Sequence, residues 1–177
     1  MESFAPIITK IIKKGAFTFL GNENIVGHNN KIDESADFGK IWSDFFDKGG
    51  YIPIEPYAED TAPVNVWFND TDGKFIYMQG LFVKAVDKIP EGYSLREFPA
   101  CEYLMITTEW LDRHDRSVGY EGNGRCNEYA DKTASPEGYE RFDEGSVPLH
   151  RIEVEVGPIN GSYRYEVWLP LRKNKRG

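Results

Sequence analysis

A chain of 177 residues with a formal net charge of −8 has the size of one domain, or of two small halves sharing a core. Its 21 Lys and Arg against 29 Asp and Glu argue against a polyanionic partner, because counterion release needs clustered positive charge. Two cysteines make no disulfide framework, and no run of about 20 apolar residues is present to form a membrane-spanning helix. MESFAPIITKIIKKGAF lacks the pattern of a secretory signal, so the reading is of a cytoplasmic protein with no direct nucleic-acid or membrane partner.

Taken in chain order, residues 1–16 read as an N-terminal extension whose cluster from Lys10 to Lys14 is a solubilising feature. A strand candidate follows, Phe17 to Val26, and then the clearest helix in the chain, SADFGKIWSDFFDKGG. There Phe38, Ile41, Trp42, Phe45 and Phe46 recur at helical spacing on one apolar face. Ser35 or Asp33 is the expected N-cap, and Gly49-Gly50 the stop. Next come two alternating runs in VNVWFNDTDGKFIYMQGLFVK (Val64 to Lys84), read as a hairpin turning at Asp72-Gly73. The segment KAVDKIPEGYSLREFPA is a Pro- and Gly-marked connector.

The second half repeats the plan. Cys101 to Thr108 is a strand candidate, and IEVEVGPINGSYRYEVWLPLR (Ile152 to Arg172) is a hairpin turning at Asn160-Gly161. At one constant offset Val64 falls on Ile152, Val66 on Val154, Gly73 on Gly161, Tyr77 on Tyr165 and Leu81 on Leu169. The same offset carries the helix face onto Cys126, Tyr129 and Ala130, within SVGYEGNGRCNEYADKTASPEGYERFDEG, a segment expected to hold a shortened helix and a loop. The fold expected is α+β: a strand–helix–strand–strand repeat written twice, forming an antiparallel sheet with helices on one face and a ligand cleft on the other. The repeats run over about 17–84 and 100–172 of a single domain, 17–172, with a basic tail at 173–177.

Hairpin register decides which side chains share a face. A two-residue turn at Asp72-Gly73 sets Trp67 opposite Met78 and Phe68 opposite Tyr77. Applied to the second hairpin, that register sets Glu155 opposite Glu166 and Glu153 opposite Trp168, while Pro158 leaves open an enlarged turn that shifts the pairing by one residue. The cleft then has an apolar-aromatic wall with Trp67 and Met78 and an acidic-aromatic wall with Glu153, Glu155, Glu166 and Trp168. Carboxylates beside aromatic faces suit an organic cation, and buried carboxylates suit general acid–base work. The alternative for the same glutamates is a solvated sheet face pairing Glu153 or Glu155 with Arg164.

Other constellations carry less. Glu109, Asp112, His114 and Asp115 lack a second His or Cys at ligand spacing, so no metal site is expected. Cys101 and His150 form a thiol pair only if folding joins them. GYEGNGRCNE has neither the Lys-Ser/Thr of a phosphate loop nor a dinucleotide setting.

FGKIWSDFF, VNVWFNDTDGKFIYMQGLFV, KIPEGY with FPACEYLMIT, and IEVEV followed by YEVWLPL together resemble the GyrI-like small-molecule-binding domain. That domain also serves as the effector-binding part of Rob-type and BmrR-type regulators. The resemblance implies a ligand cleft between two repeats, no cofactor, and a pocket glutamate on the penultimate strand: Glu153, or Glu155 one position along the same face. Glu166 holds the acidic position on the last strand, and Tyr103 joins the aromatic lining. It implies a binder of small apolar or cationic organic molecules. The alternatives within the family are a hydrolase of cyclopropane-bearing toxins, with Glu153 and Glu166 directing water, or an interaction module such as a gyrase modulator.

Overall fold

A computed structural model describes residues 6–112, 120–142 and 149–174. The strands in chain order are β1 (Ile7–Lys14), β2 (Phe17–His28), β3 (Lys31–Ile32), β4 (Val64–Asn69), β5 (Lys74–Val83), β6 (Ser94–Phe98), β7 (Cys101–Thr108), β8 (Leu111–Asp112), β9 (Tyr139–Arg141), β10 (Leu149–Ile159) and β11 (Ser162–Lys173). Helix α1 spans Phe38–Asp47, and α2 spans Arg125–Lys132 behind a π-helical turn at Tyr120–Gly124. The strands form one sheet in the order β1-β7-β11-β10-β4-β5-β2-β3, with β6 also on β2 and the short β8 and β9 on β11. The pairings are antiparallel, including β4 with β5 and β10 with β11.

The duplication is visible in the pairing. β4 and β10, matching strands of the two copies, lie side by side at the sheet centre, with Val66 opposite Ile152, Asn65 opposite Glu153 and Val64 opposite Val154. Since Asn65 and Glu153 also match in the repeat, the pseudo-twofold axis passes between them. The strands leading each copy cross over: β1 pairs with β7 of the second half, and β6 pairs with β2 of the first. Residues 7–14, expected as part of an extension, are therefore an edge strand of the same sheet. Lys10, Lys13 and Lys14 keep that edge charged, as exposed edges require.

Both hairpins depart by one residue from the expected register, for different local reasons. In the first, Asp70 N–H donates to Lys74 O (2.8 Å) and Gly73 N–H to Asp70 O (3.0 Å). With Gly73 at φ 83°, this is a three-residue loop closed by a left-handed glycine. Val66 now faces Met78, and Trp67 faces Tyr77. In the second, Asn160-Gly161 is the two-residue turn the sequence announces, with Ile159 paired to Ser162. A bulge at Gly157-Pro158, where proline offers no ladder N–H, then inserts the extra residue. Val154 faces Glu166 and Ile152 faces Trp168. The two copies reach the same register by inserting one residue at different places.

The shift separates side chains into two faces. On one, the curled sheet buries itself: Phe17, Phe19, Val66, Phe68, Met78, Tyr103 and Ile152 form a core contributed almost wholly by strands. The other face carries the helices. Phe45 of α1 is fully buried with Leu20, Ile54 and Leu81, and Phe38, Ile41 and Trp42 cover Phe75 and Tyr77. Cys126 and Ala130 of α2 cover Val167, Leu169 and Leu171. Helix α1 starts later than Ser35 or Asp33 would place it: Asp37 is the N-cap, its Oδ1 accepting from Lys40 N–H at 3.1 Å. Gly49 and Gly50, at φ 120° and 57°, end it as expected. Among the described residues no helix is long and apolar enough to cross a membrane.

Candidate functional site

A cavity of about 730 Å³ opens on the helix face, between α1 and α2, with the central strands as its floor. The cleft expected on the face opposite the helices is not where the cavity lies; that face is filled by the sheet's own core. The floor includes Asn65 and Trp67 of β4, Tyr77 of β5, Arg151, Glu153 and Glu155 of β10, and Tyr165 of β11. Phe38 and Trp42 of α1 form one wall, Asn123, Asn127 and Asp131 on the α2 side form the other, and Tyr51 and Pro63 also line the cavity.

The one-residue register shift sorts the expected site residues. Trp67, Glu153 and Glu155 line the cavity. Glu166, Met78, Tyr103 and Trp168 lie on the opposite face, where Met78 and Tyr103 are fully buried. Glu166 pairs with Arg164 at 2.9 Å and accepts from Trp168 Nε1 at 2.9 Å, while Trp168 stacks on Phe82 at 5.9 Å. Glu153 and Glu166 therefore stand on opposite sides of the sheet. The two carboxylates do not face one common cavity.

The two cavity glutamates occupy different surroundings. Glu153 is 7% exposed. Its Oε1 accepts from Trp67 Nε1, and its Oε2 accepts from Asn123 Nδ2 at 2.5 Å and Asn127 Nδ2 at 2.8 Å. Asn127 Oδ1 in turn accepts from Arg151 Nη1 at 2.6 Å, and Arg151 Nη2 pairs with Asp131 at 2.9 Å. Glu155 is half-buried, and among the described residues its carboxylate has no hydrogen-bond or ion-pair partner; its backbone N–H donates to Pro63 O at 3.0 Å. Desolvation raises its pKa above the ordinary carboxylate value. Burial and then the nearby Glu155 charge push the Tyr51 and Tyr165 phenols upward, so both rings are near this carboxylate. Tyr77 is raised by burial first and by Glu153 next.

Aromatic packing fixes the first-half wall. Trp67 lies 4.4 Å from Tyr77, 5.6 Å from Phe75 and 5.9 Å from Phe38, centroid to centroid. On the other side Gly122 lets the turn before α2 lie on Tyr165: a Cβ there would sit 2.2 Å from the tyrosine ring. Sequence reasoning passed over Arg151 and the amide wall, although their signal is present. Asn123, Asn127 and Asp131 stand at i, i+4 and i+8, one polar stripe along a helix, and Arg151 and Glu153 share a strand face at i, i+2. Of the tyrosines around α2, Tyr129 is exposed and Tyr139 packs against the cluster beneath the helix; the side chain of Tyr120 lies outside the described residues, as does most of the charged loop with His114 and Asp115. Cys126 is a fully buried thiol, pushed up to about 11 by burial, which suits packing rather than reactivity.

The chain is similar in structure to SAV2435, solved bound to tetraphenylphosphonium, at 11% identity and TM-score 0.64 over 93% of this chain and 94% of that one. It is also similar to an integron cassette protein from the mobile metagenome of Vibrio cholerae (10% identity, TM-score 0.59, 93% and 95% covered). A third similar structure is the C-terminal domain of EcmrR (10% identity, TM-score 0.54, 95% and 99% covered). At these identities the likeness is one of fold. No curated protein matches the sequence. The profile of the integron-associated effector binding proteins (Cass2) matches residues 10–171, which includes β1 from Lys10 onward, the whole cavity and both copies of the repeat. The chain belongs to that effector-binding family, in keeping with the GyrI-like resemblance of its motifs.

Proposed function

We propose that the protein binds a lipophilic organic cation in the cavity between α1 and α2, with Glu155 as its counter-charge. The observation that carries this is a half-buried carboxylate that has no partner among the described residues and stands near Tyr51 and Tyr165. Desolvation disfavours such a charge; a cation with aromatic or alkyl bulk offsets the cost while its body packs on Trp42, Phe38 and Tyr165. Cation–π attraction contributes about 0.5–2 kcal/mol per well-placed ring. The cavity volume of about 730 Å³ is in the range of small-molecule sites, roughly 300–1,000 Å³. A structural relative bound to tetraphenylphosphonium supports the same ligand class.

Calorimetric titration of the full chain with tetraphenylphosphonium tests this. Saturable one-to-one binding is expected, weakened roughly tenfold by Glu155→Gln, the loss of one coulombic attraction to the cation. Absence of saturable binding by this and by flat aromatic cations, or an affinity indifferent to Glu155→Gln, would sink the reading.

A further inference from the structure

We propose that Glu153 is a positioning residue, not a charge contact: it locks the Trp67 indole to the α2 wall and thereby sets which ligand shapes the cavity accepts. The division of labour with Glu155 rests on the cation-binding reading above; the positioning role does not.

A carboxylate offers about four lone-pair sites, and protein donors occupy three of those on Glu153: Trp67 Nε1 on Oε1, Asn123 and Asn127 on Oε2. One lone pair is left, on Oε1 beside the Trp67 indole, and the other three are committed to the protein's own walls. Asn127 cannot turn its amide, because its Oδ1 holds Arg151 Nη1 at 2.6 Å and Asp131 holds the other guanidinium nitrogen at 2.9 Å. Reversing the amide would put its NH₂ against the guanidinium and its oxygen against the carboxylate. The relay Asp131–Arg151–Asn127–Glu153–Trp67 thus has one sense, set by the only formal cation in it.

Its ends lie in different halves of the molecule. Asn123, Asn127 and Asp131 belong to the second copy, whereas Trp67 belongs to the first and packs with Phe38, Phe75 and Tyr77. Glu153 stands opposite Asn65 at the pseudo-twofold axis, where one side chain can reach both. Glutamine at 153 has one acceptor oxygen for three donors, and its own NH₂ faces another donor. At least one link breaks, either to the indole or to α2, and the aromatic wall and the amide wall are no longer held in one arrangement.

The test uses the full chain and two probe pairs. N-methylquinolinium against the isosteric neutral 1-methylnaphthalene reads charge preference; N-methylquinolinium against tetraphenylphosphonium reads size preference. Glu153→Gln is expected to change the size preference by roughly tenfold, the loss of a hydrogen bond to a charged group, with the charge preference kept. Glu155→Gln is expected to do the reverse. A ligand-free readout runs alongside: Glu153→Gln shifts the indole emission, and the shift disappears in a Trp67→Phe background. If Glu153→Gln abolishes charge preference as Glu155→Gln does, or leaves Trp67 emission unchanged, the proposal is overturned. If the wild type takes up neither cation, the cation-binding reading fails, and the emission arm still decides the positioning role. Should Glu153→Gln not fold, Asn123→Ala, which removes one donor, is expected to shift Trp67 emission in the same direction by less; no shift there overturns the proposal.

Discussion

The two copies of the repeat meet at the cavity and differ most where they meet. Tyr77 and Tyr165 are matching residues, and both line the cavity. Around this shared pair the other matches have diverged: Asn65 against Glu153, Trp67 against Glu155, Phe38 against Cys126, Trp42 against Ala130. The first half offers rings and a helix seated by large apolar side chains. The second offers carboxylates and a short helix seated by two small residues and an amide stripe. A symmetric scaffold gives an axis on which ligand contacts converge; divergence at that axis gives one apolar wall and one charged wall to a single site.

The largest effect separating the halves is expected at Phe45, fully buried beneath α1. Phe45→Ala creates a cavity costing about 3–5 kcal/mol, read by chemical denaturation. Ala130→Gly under α2 removes one methyl and is expected to cost about 1–2 kcal/mol, combining lost burial and helix propensity. Equal losses would break the contrast between the two helix seats.

Gly122→Ala sharpens the comparison from the cavity side. The new Cβ meets the Tyr165 ring, so the turn or the ring must shift, at about 1–3 kcal/mol. Affinity for tetraphenylphosphonium is expected to fall together with denaturation stability. No change in either would mean that the α2 turn does not brace Tyr165.

A smaller effect is expected from pH. The folded pKa of Glu155 is raised above 4.5 by desolvation, so the folded state holds this proton more tightly than the unfolded one. Its contribution to stability is present below the unfolded pKa and is lost as pH rises through the folded one. Cation affinity runs the other way, falling as acid protonates Glu155. Paired thermal-melt and calorimetric pH series on wild type and Glu155→Gln check both slopes: each is expected to flatten in the variant from 4.5 upward.

The smallest effect is expected at the N-cap of α1. Asp37→Ala removes the acceptor for Lys40 N–H and should cost about 1 kcal/mol, well short of Phe45→Ala. A comparable or larger loss would show that α1 is held by its cap as much as by its apolar face.

Much of the architecture was legible because it is written in local chemistry. The α1 apolar face, the Gly49-Gly50 stop, the Asn160-Gly161 turn and the duplication each follow from spacing within a few turns or one hairpin. The offset even placed Cys126 and Ala130, the buried residues of the weak α2, correctly. The side-chain facing was not legible, because period-2 alternation inverts with one inserted residue. Those residues sit at the loop closed by Asp70 in one copy and at Gly157-Pro158 in the other. Glu153, Glu155 and Trp67 shared a cavity because they match in strand parity across β4 and β10; Glu166, Met78, Tyr103 and Trp168 fell on the other face for the same reason.

By itself, then, the sequence determined α1, the two hairpins, their duplication and the presence of glutamates among aromatics on the closing hairpin, since propensity, capping and turn chemistry act within a few residues. β1 and β6, read as an extension and a connector, were not legible. Only the tertiary structure decided that β1 and β6 exchange partners between halves, that the cavity opens on the helix face, and that Glu153 receives three side-chain donors while Glu155 receives none among the described residues. Those depend on donors from Trp67, Asn123 and Asn127, which lie far from Glu153 in the chain and meet it only when β4, β10 and α2 converge at the axis.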